Sequence, residues 1–270
     1  MEGEEHQMNT LENDRLSAYL IANSIHVKER PLVFWTIVPD YFDDTNFKAC
    51  LSSQEKERAT HFHCYQDRNN FIIAHSLTRI LLSAVTGIEP LKLSFKTNDY
   101  GKPELATSQS ETDIQFNLSH TKGLVAVAMA HQIKVGVDVE WLDKKIDIFN
   151  IARSFFSEQD MTLLDFLPWS HKNKGFFHLW SLKEAFIKAF GKGLSIPLNS
   201  FYVDALTPKN QIFDGRTRKP LGWVVHSTMP TQEHYLSVVT ECQSENLLAP
   251  SLHEISFEAL LGILSKLNSG

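Results

Sequence analysis

The chain has 270 residues, 43% hydrophobic and 21% charged, enough to bury one large core or two smaller ones. Its net charge is −6 with no long basic block, which argues against a nucleic-acid binder but leaves room for a local positive pocket. No apolar run approaches the roughly 18 residues of a membrane span; the acidic start is unlike a secretory signal, and Cys50, Cys64 and Cys242 point to free thiols in a cytoplasmic setting.

Residues 1–14 are polar and expected to be frayed. Residues 31–39, β-branched and bounded by prolines, read as a strand. A short helix over 53–62, capped by Ser52 or Ser53, precedes a longer one over 68–85. Asp67 is the expected cap of the longer helix and Thr86-Gly87 its end. Residues 91–95 read as a strand leading into a turn over 98–103. Three alternating runs follow at 114–118, 124–130 and 133–139, an expected three-stranded antiparallel meander. Helical patterns occupy 148–156, 158–166 and 175–190, and strands are expected at 201–205, 222–227 and 235–241. Residues 243–250 read as a polar linker and 254–267 as an amphipathic helix packed on the surface.

A shift of 105 residues superimposes the chain on itself, placing Ser52 on Ser157, Phe71 on Phe176 and Ala84 on Ala189. Each copy reads short helix, long helix, strand, which predicts two fused copies of one α+β unit packed as a pseudo-dimer. The expected boundaries are 15–136 for the first half, 137–242 for the second, and 243–270 for a C-terminal linker and helix. Glu184 falls on Arg79 and Lys188 on Ser83, so only the second copy carries an acid–ammonium pair. One active site at the junction follows from that asymmetry, and a monomer is expected where the two halves satisfy each other.

Chemistry concentrates in four places. Asp138 and Glu140 alternate with Val137 and Val139, so both acids point to one side of a strand. The ordinary reading of such a pair is a solvated outer face; beside Glu184 it becomes three carboxylates suited to Mg²⁺, a hard cation that prefers oxygen ligands. Glu184 and Lys188 stand one helical turn apart, commonly a plain surface ion pair. Ser119-His120 invites a serine hydrolase, but adjacent strand residues face opposite ways and no nucleophile elbow exists, so an anion site or a polar hairpin end fits better. Gly101-Lys102-Pro103 is a rigid turn whose lysine could contact phosphate. His61, His63 and Cys64 lack partners at zinc-ligand spacing, and Gly191-Lys192-Gly193 is a helix end, not a phosphate loop.

In order, Gly101-Lys102-Pro103, Phe116-Asn117-Leu118-Ser119-His120, Gly136-Val137-Asp138-Val139-Glu140 and Trp180-Ser181-Leu182-Lys183-Glu184-Ala185-Phe186-Ile187-Lys188 resemble the motifs of the Sfp-type 4′-phosphopantetheinyl transferases, of the holo-acyl-carrier-protein synthase superfamily. The resemblance implies two α+β halves with coenzyme A and Mg²⁺ (or Mn²⁺) in the cleft between them. It implies transfer of the phosphopantetheine arm to a serine of an apo acyl or peptidyl carrier protein, with no nucleic acid or membrane involved. On that resemblance Asp138, Glu140 and Glu184 are the expected metal ligands, with Glu184 as base and Lys188 as a stabiliser of the pyrophosphate. Arg58, Arg68, Gly101, Lys102 and His120 are expected at the phosphate and adenosine end, with Asn117 and Ser119 lining the nucleotide pocket. A module that binds coenzyme A or the carrier without catalysis is the alternative.

Overall fold

A computed structural model describes residues 27–106, 113–143, 145–204, 211–242 and 248–267; residues 1–14 lie outside them. The first half contains β1 (Leu32–Ile37), α1 (Thr45–Ala49), α2 (Ser53–Thr60) and α3 (Tyr65–Thr86). The hairpin β2 (Phe95–Thr97) and β3 (Pro103–Leu105) comes next, then β4 (Ile114–Thr121) and β5 (Leu124–His131). The second half contains β6 (Val135–Trp141), α4 (Ile148–Phe155), α5 (Glu158–Phe166) and α6 (Trp169–Phe190). It continues with β7 (Phe201–Asp204), β8 (Gln211–Asp214), β9 (Pro220–Thr231) and β10 (His234–Glu241). The chain then adds β11 (Ser251–Glu254) and α7 (Phe257–Leu267).

Two sheets pack back to back. One has the order β11-β1-β5-β4 and the other β6-β10-β9-β8-β7. Val125, Val127 and Met129 of β5 face α3, while Ala126, Ala128 and Ala130 of the same strand face Val137, Val139, Leu236 and Val238 of the second sheet. The other side of that second sheet takes α6, with Leu182, Ala185 and Phe186 against Phe201, Ile212 and Trp223. The layers therefore run helix, sheet, sheet, helix, and β5 is buried because both its faces are covered.

The internal repeat is visible at the helices. Ser52 and Ser157 each cap a short helix through a reciprocal box, with Glu55 and Asp160 as the returning acids. The long helices α3 and α6 have 22 residues each and end on left-handed glycines, Gly87 and Gly191.

Several expectations are corrected. The meander does not form: β4 and β5 pair, but β6 pairs antiparallel with β10. Alternation tells which face of a strand is buried, not which neighbour it bonds, and Gln132, at φ 60, turns the chain into the other sheet. Since β6 lies wholly in the second half, a boundary at 136 would cut through it. Helix α3 starts at Tyr65 with Cys64 as its cap, and Asp67 sits inside the first turn, where its charge suits the helix dipole. Helix α6 starts at Trp169, not at 175, because Gly175 lets Leu167 pack against the helix surface. Residues 90–92 form a 3₁₀ turn instead of a strand. Arg79 takes the carbonyls of Pro90 and Leu93, at 2.6 and 3.1 Å, in place of a ladder. The tail is not superficial: β11 pairs parallel with β1, and Ile255, Leu260 and Leu264 are buried in the first half's core.

Candidate active site

The edges β4 and β6 meet where the two halves join, and side chains replace the missing ladder. Asn117 Oδ1 accepts from the Val137 amide at 2.9 Å, and Ser119 Oγ accepts from the Val139 amide at 3.3 Å. Helix α6 lies directly on β6, since any side chain at Gly136 would collide with the Ala185 carbonyl. Ser181 and Ser237 fix the same packing through a 2.7 Å hydroxyl contact. These close approaches bring α6 over the acids of β6.

Asp138 is only 3% exposed, so the solvated-face reading fails for it. Its Oδ1 accepts from Lys188 Nζ at 2.5 Å and from Ser119 Oγ at 3.0 Å. Lys188 also donates to Ser119 Oγ at 3.0 Å. The second oxygen, Asp138 Oδ2, is buried without a partner. Burial pushes the Asp138 carboxyl above its ordinary value despite the ammonium beside it. Glu140 is pushed up to about 8, first by burial and then by the charges of Asp138 and Glu184, while Trp180 donates a hydrogen bond to it. Glu184 is raised by burial and by Asp138. Three carboxyls thus feel one another across the strand–helix junction, with one ammonium among them.

They do not form a ready metal shell. Among the described residues no three Asp, Glu, His or Cys side chains surround a common point. Lys188 holds the place beside Asp138 Oδ1. The donor chemistry nevertheless fits a hard divalent cation, because the cluster is all-oxygen and contains a buried oxygen with no partner.

The residues expected to bind the coenzyme divide. Arg58 lies over Phe71, its guanidinium 5.4 Å from the ring centroid, and lines a cavity of about 460 Å³ together with His75, Arg79 and Pro103. His120 stands at the strand end, reachable by water. The protein around it, then Lys188, His75 and Arg58, push its imidazole down to about 4. Glu55, an acid unexpected at a phosphate site, is neutralised: its oxygens meet His75 at 3.1 Å and Arg79 at 2.8 Å. Burial raises its pKa, but those two partners and the Ser52 amide outweigh it and bring it to about 2.

Arg68 is not in this group, being paired with Asp44 at 2.5 Å. The Asn117 and Ser119 side chains serve β6, not an open pocket. Gly101 turns the hairpin at φ 85. The Lys102 ammonium donates to the carbonyls of Val135 and Ala189 at 3.3 and 3.2 Å. Burial brings its pKa down to about 8, against Glu104 and with Lys134.

Sequence reasoning passed over two residues. Trp180 sits four before Glu184, a spacing that puts both on one helix face and could have flagged it. Lys183 is fully buried and pairs with Asp160 at 2.6 Å. Only its place within an otherwise apolar stripe hinted at that.

The molecule is thus a two-half α+β fold with an acid–ammonium cluster where β4 meets β6, and a first-half cavity lined by Arg58, His75, Arg79 and Glu55. A profile of the 4′-phosphopantetheinyl transferase superfamily matches residues 134–239, and one for the 4′-phosphopantetheinyl transferase N-terminal region matches 35–132. The 4′-phosphopantetheinyl transferase gsp of Aneurinibacillus migulanus is 33% identical over 187 residues, 68% of this chain and 76% of its own. Sfp of Bacillus subtilis is 33% identical over 60% of this chain and 69% of its own, and HetI of a Nostoc species 35% over 54% and 62%. The chain belongs to the 4′-phosphopantetheinyl transferase superfamily, whose activity is transfer of 4′-phosphopantetheine from coenzyme A to carrier proteins. No helix of the described residues is long and apolar enough to cross a membrane.

Proposed function

We propose that Asp138, Glu140 and Glu184 carry this transfer together with Lys188, and that the acceptor is a serine of an apo acyl or peptidyl carrier protein. The observation that carries the assignment is Asp138 Oδ2, a buried carboxylate oxygen with no partner, next to two acids whose pKa values are raised. Asp138, Glu140 and Glu184 are the residues that would hold Mg²⁺ or Mn²⁺. When bound, the ion neutralises pyrophosphate charge as the anhydride bond breaks.

Glu184 takes the serine proton. It stands on α6, half-buried and one helical turn from Lys188. The serine oxygen forms a bond to the phosphorus that bears pantetheine, the anhydride P–O bond breaks, and adenosine 3′,5′-bisphosphate leaves. Lys188 supplies positive charge to the departing oxygen. Ser119 orients Asp138, and Arg58 and His120 line the approach of the nucleotide phosphates.

The test is to incubate the protein with apo carrier, coenzyme A and Mg²⁺ and weigh the carrier. A gain of one phosphopantetheine supports the assignment. Coenzyme binding with an unchanged carrier mass would favour a non-catalytic module, and neither result would leave an interaction domain.

A further inference from the structure

The β2–β3 hairpin belongs to the first half, yet its tip reaches the last turn of α6 in the second. Asn98 Nδ2 donates to the Gly191 carbonyl at 2.8 Å, while Asn98 Oδ1 accepts from the amides of Tyr100 and Lys102 at 2.9 and 3.0 Å. The tip is therefore a rigid Asx-type turn aimed at the helix end. Lys102 Nζ adds the carbonyls of Ala189 and Val135. The last four carbonyls of a helix have no partner within it and form the negative end of its dipole, so an amide donor and an ammonium suit that place.

Gly191 completes the fit. At φ 77 it closes α6, and a side chain there would come within 3.1 Å of Asn98 Nδ2 and 3.3 Å of Lys102 Cδ. The hairpin tip occupies the space that the glycine leaves. Val135 begins β6 and Ala189 lies near the end of α6. One ammonium thus ties together the strand bearing Asp138 and Glu140 and the helix bearing Glu184 and Lys188.

We infer that Asn98 and Lys102 form a latch that sets α6 against β6, making Lys102 a positioning residue for the transfer rather than a coenzyme ligand. The latch bears on catalysis only if the four residues above carry the chemistry, so its test includes a readout independent of activity.

Lys102→Met and Asn98→Ala, each in the full chain, are compared with wild type in kcat, in coenzyme A affinity by calorimetry, and in amide exchange over 187–191. The expected result is a loss in kcat on the order of tenfold with coenzyme affinity changed less than about twofold, since misplacement of reacting groups costs rate before binding. Exchange over the last turn of α6 should quicken, and the double variant should lose less than the product of the singles. Coenzyme affinity falling in step with the rate would overturn the latch in favour of a phosphate contact. Unchanged rate and exchange would overturn it outright. If wild type itself transfers nothing, faster exchange in the variants still establishes the contact, so failure of the assignment and failure of the latch are told apart.

Discussion

Glu184 projects from a helix whose neighbouring turn supplies Lys188, and in the proposed transfer the two would act on a proton and a leaving group respectively. Glu184→Gln keeps the shape and removes the base. Transfer should fall by about 10² to 10⁴-fold while coenzyme A binding is retained; ordinary turnover in that variant removes Glu184 from the mechanism. Glu140 gives a pH signature. A carboxyl whose pKa rises on folding, here to about 8, stabilises the fold while protonated. That contribution is complete below the unfolded value near 4.5 and is lost as pH climbs through 8. Without divalent ion, the melting temperature should therefore drop from about pH 6 to about pH 9. Mg²⁺ favours ionised acids and should raise it more at the alkaline end. A melt indifferent to Mg²⁺ at both pH values would break the ligand assignment. The alternation of Asp138 and Glu140 was legible in the sequence. The contact of Lys102 with the Val135 and Ala189 carbonyls was not, because a lysine in a turn looks the same whether it faces a phosphate or a helix carbonyl.

The short helix, the long helix and the acid that joins them recur as a unit. In the first half Glu55 closes the capping box and binds Arg79 of α3; in the second Asp160 closes the box and binds Lys183 of α6. Lys183 Nζ also reaches the carbonyls of Leu198 and Phe201, both at 2.8 Å, and burial pushes its amine below the ordinary range against the pull of Asp160. Lys183→Met would leave Asp160 as an uncompensated buried charge, costing about 3–5 kcal/mol, read as a fall in the urea midpoint. A neutral result would mean that Asp160 is protonated in the variant at no cost. The Ser52 cap and both glycine stops were readable in sequence, because capping chemistry is local. The ion pairs were not, since periodicity places a lysine on a buried stripe without naming its partner.

The two sheets pack back to back, and the paired short and long helices of each half follow the 105-residue repeat. What the repeat could not reveal is that the chain comes home: β11 pairs with β1, with Leu32 opposite Ser251, and α7 inserts Leu260 and Leu264 among α1 and α3 side chains. Pairing between strands so far apart in sequence leaves no periodic trace. Leu264→Ala should therefore destabilise the protein by about 2–5 kcal/mol, as for a core leucine, though it touches no part of the cleft. A change under about 0.5 kcal/mol, the range of surface substitutions, would return the tail to the periphery.

That return has a consequence for how the protein is made. A ribosome delivers the strands and helices of the first half early, but one edge of its sheet stays open until residues 251–254 emerge. The half that supplies the cavity would wait, exposed, while the half that supplies the acids is already finished. Supplying the final segment as a separate peptide to a truncated chain should then rescue folding, a complementation that an ornamental tail could never give.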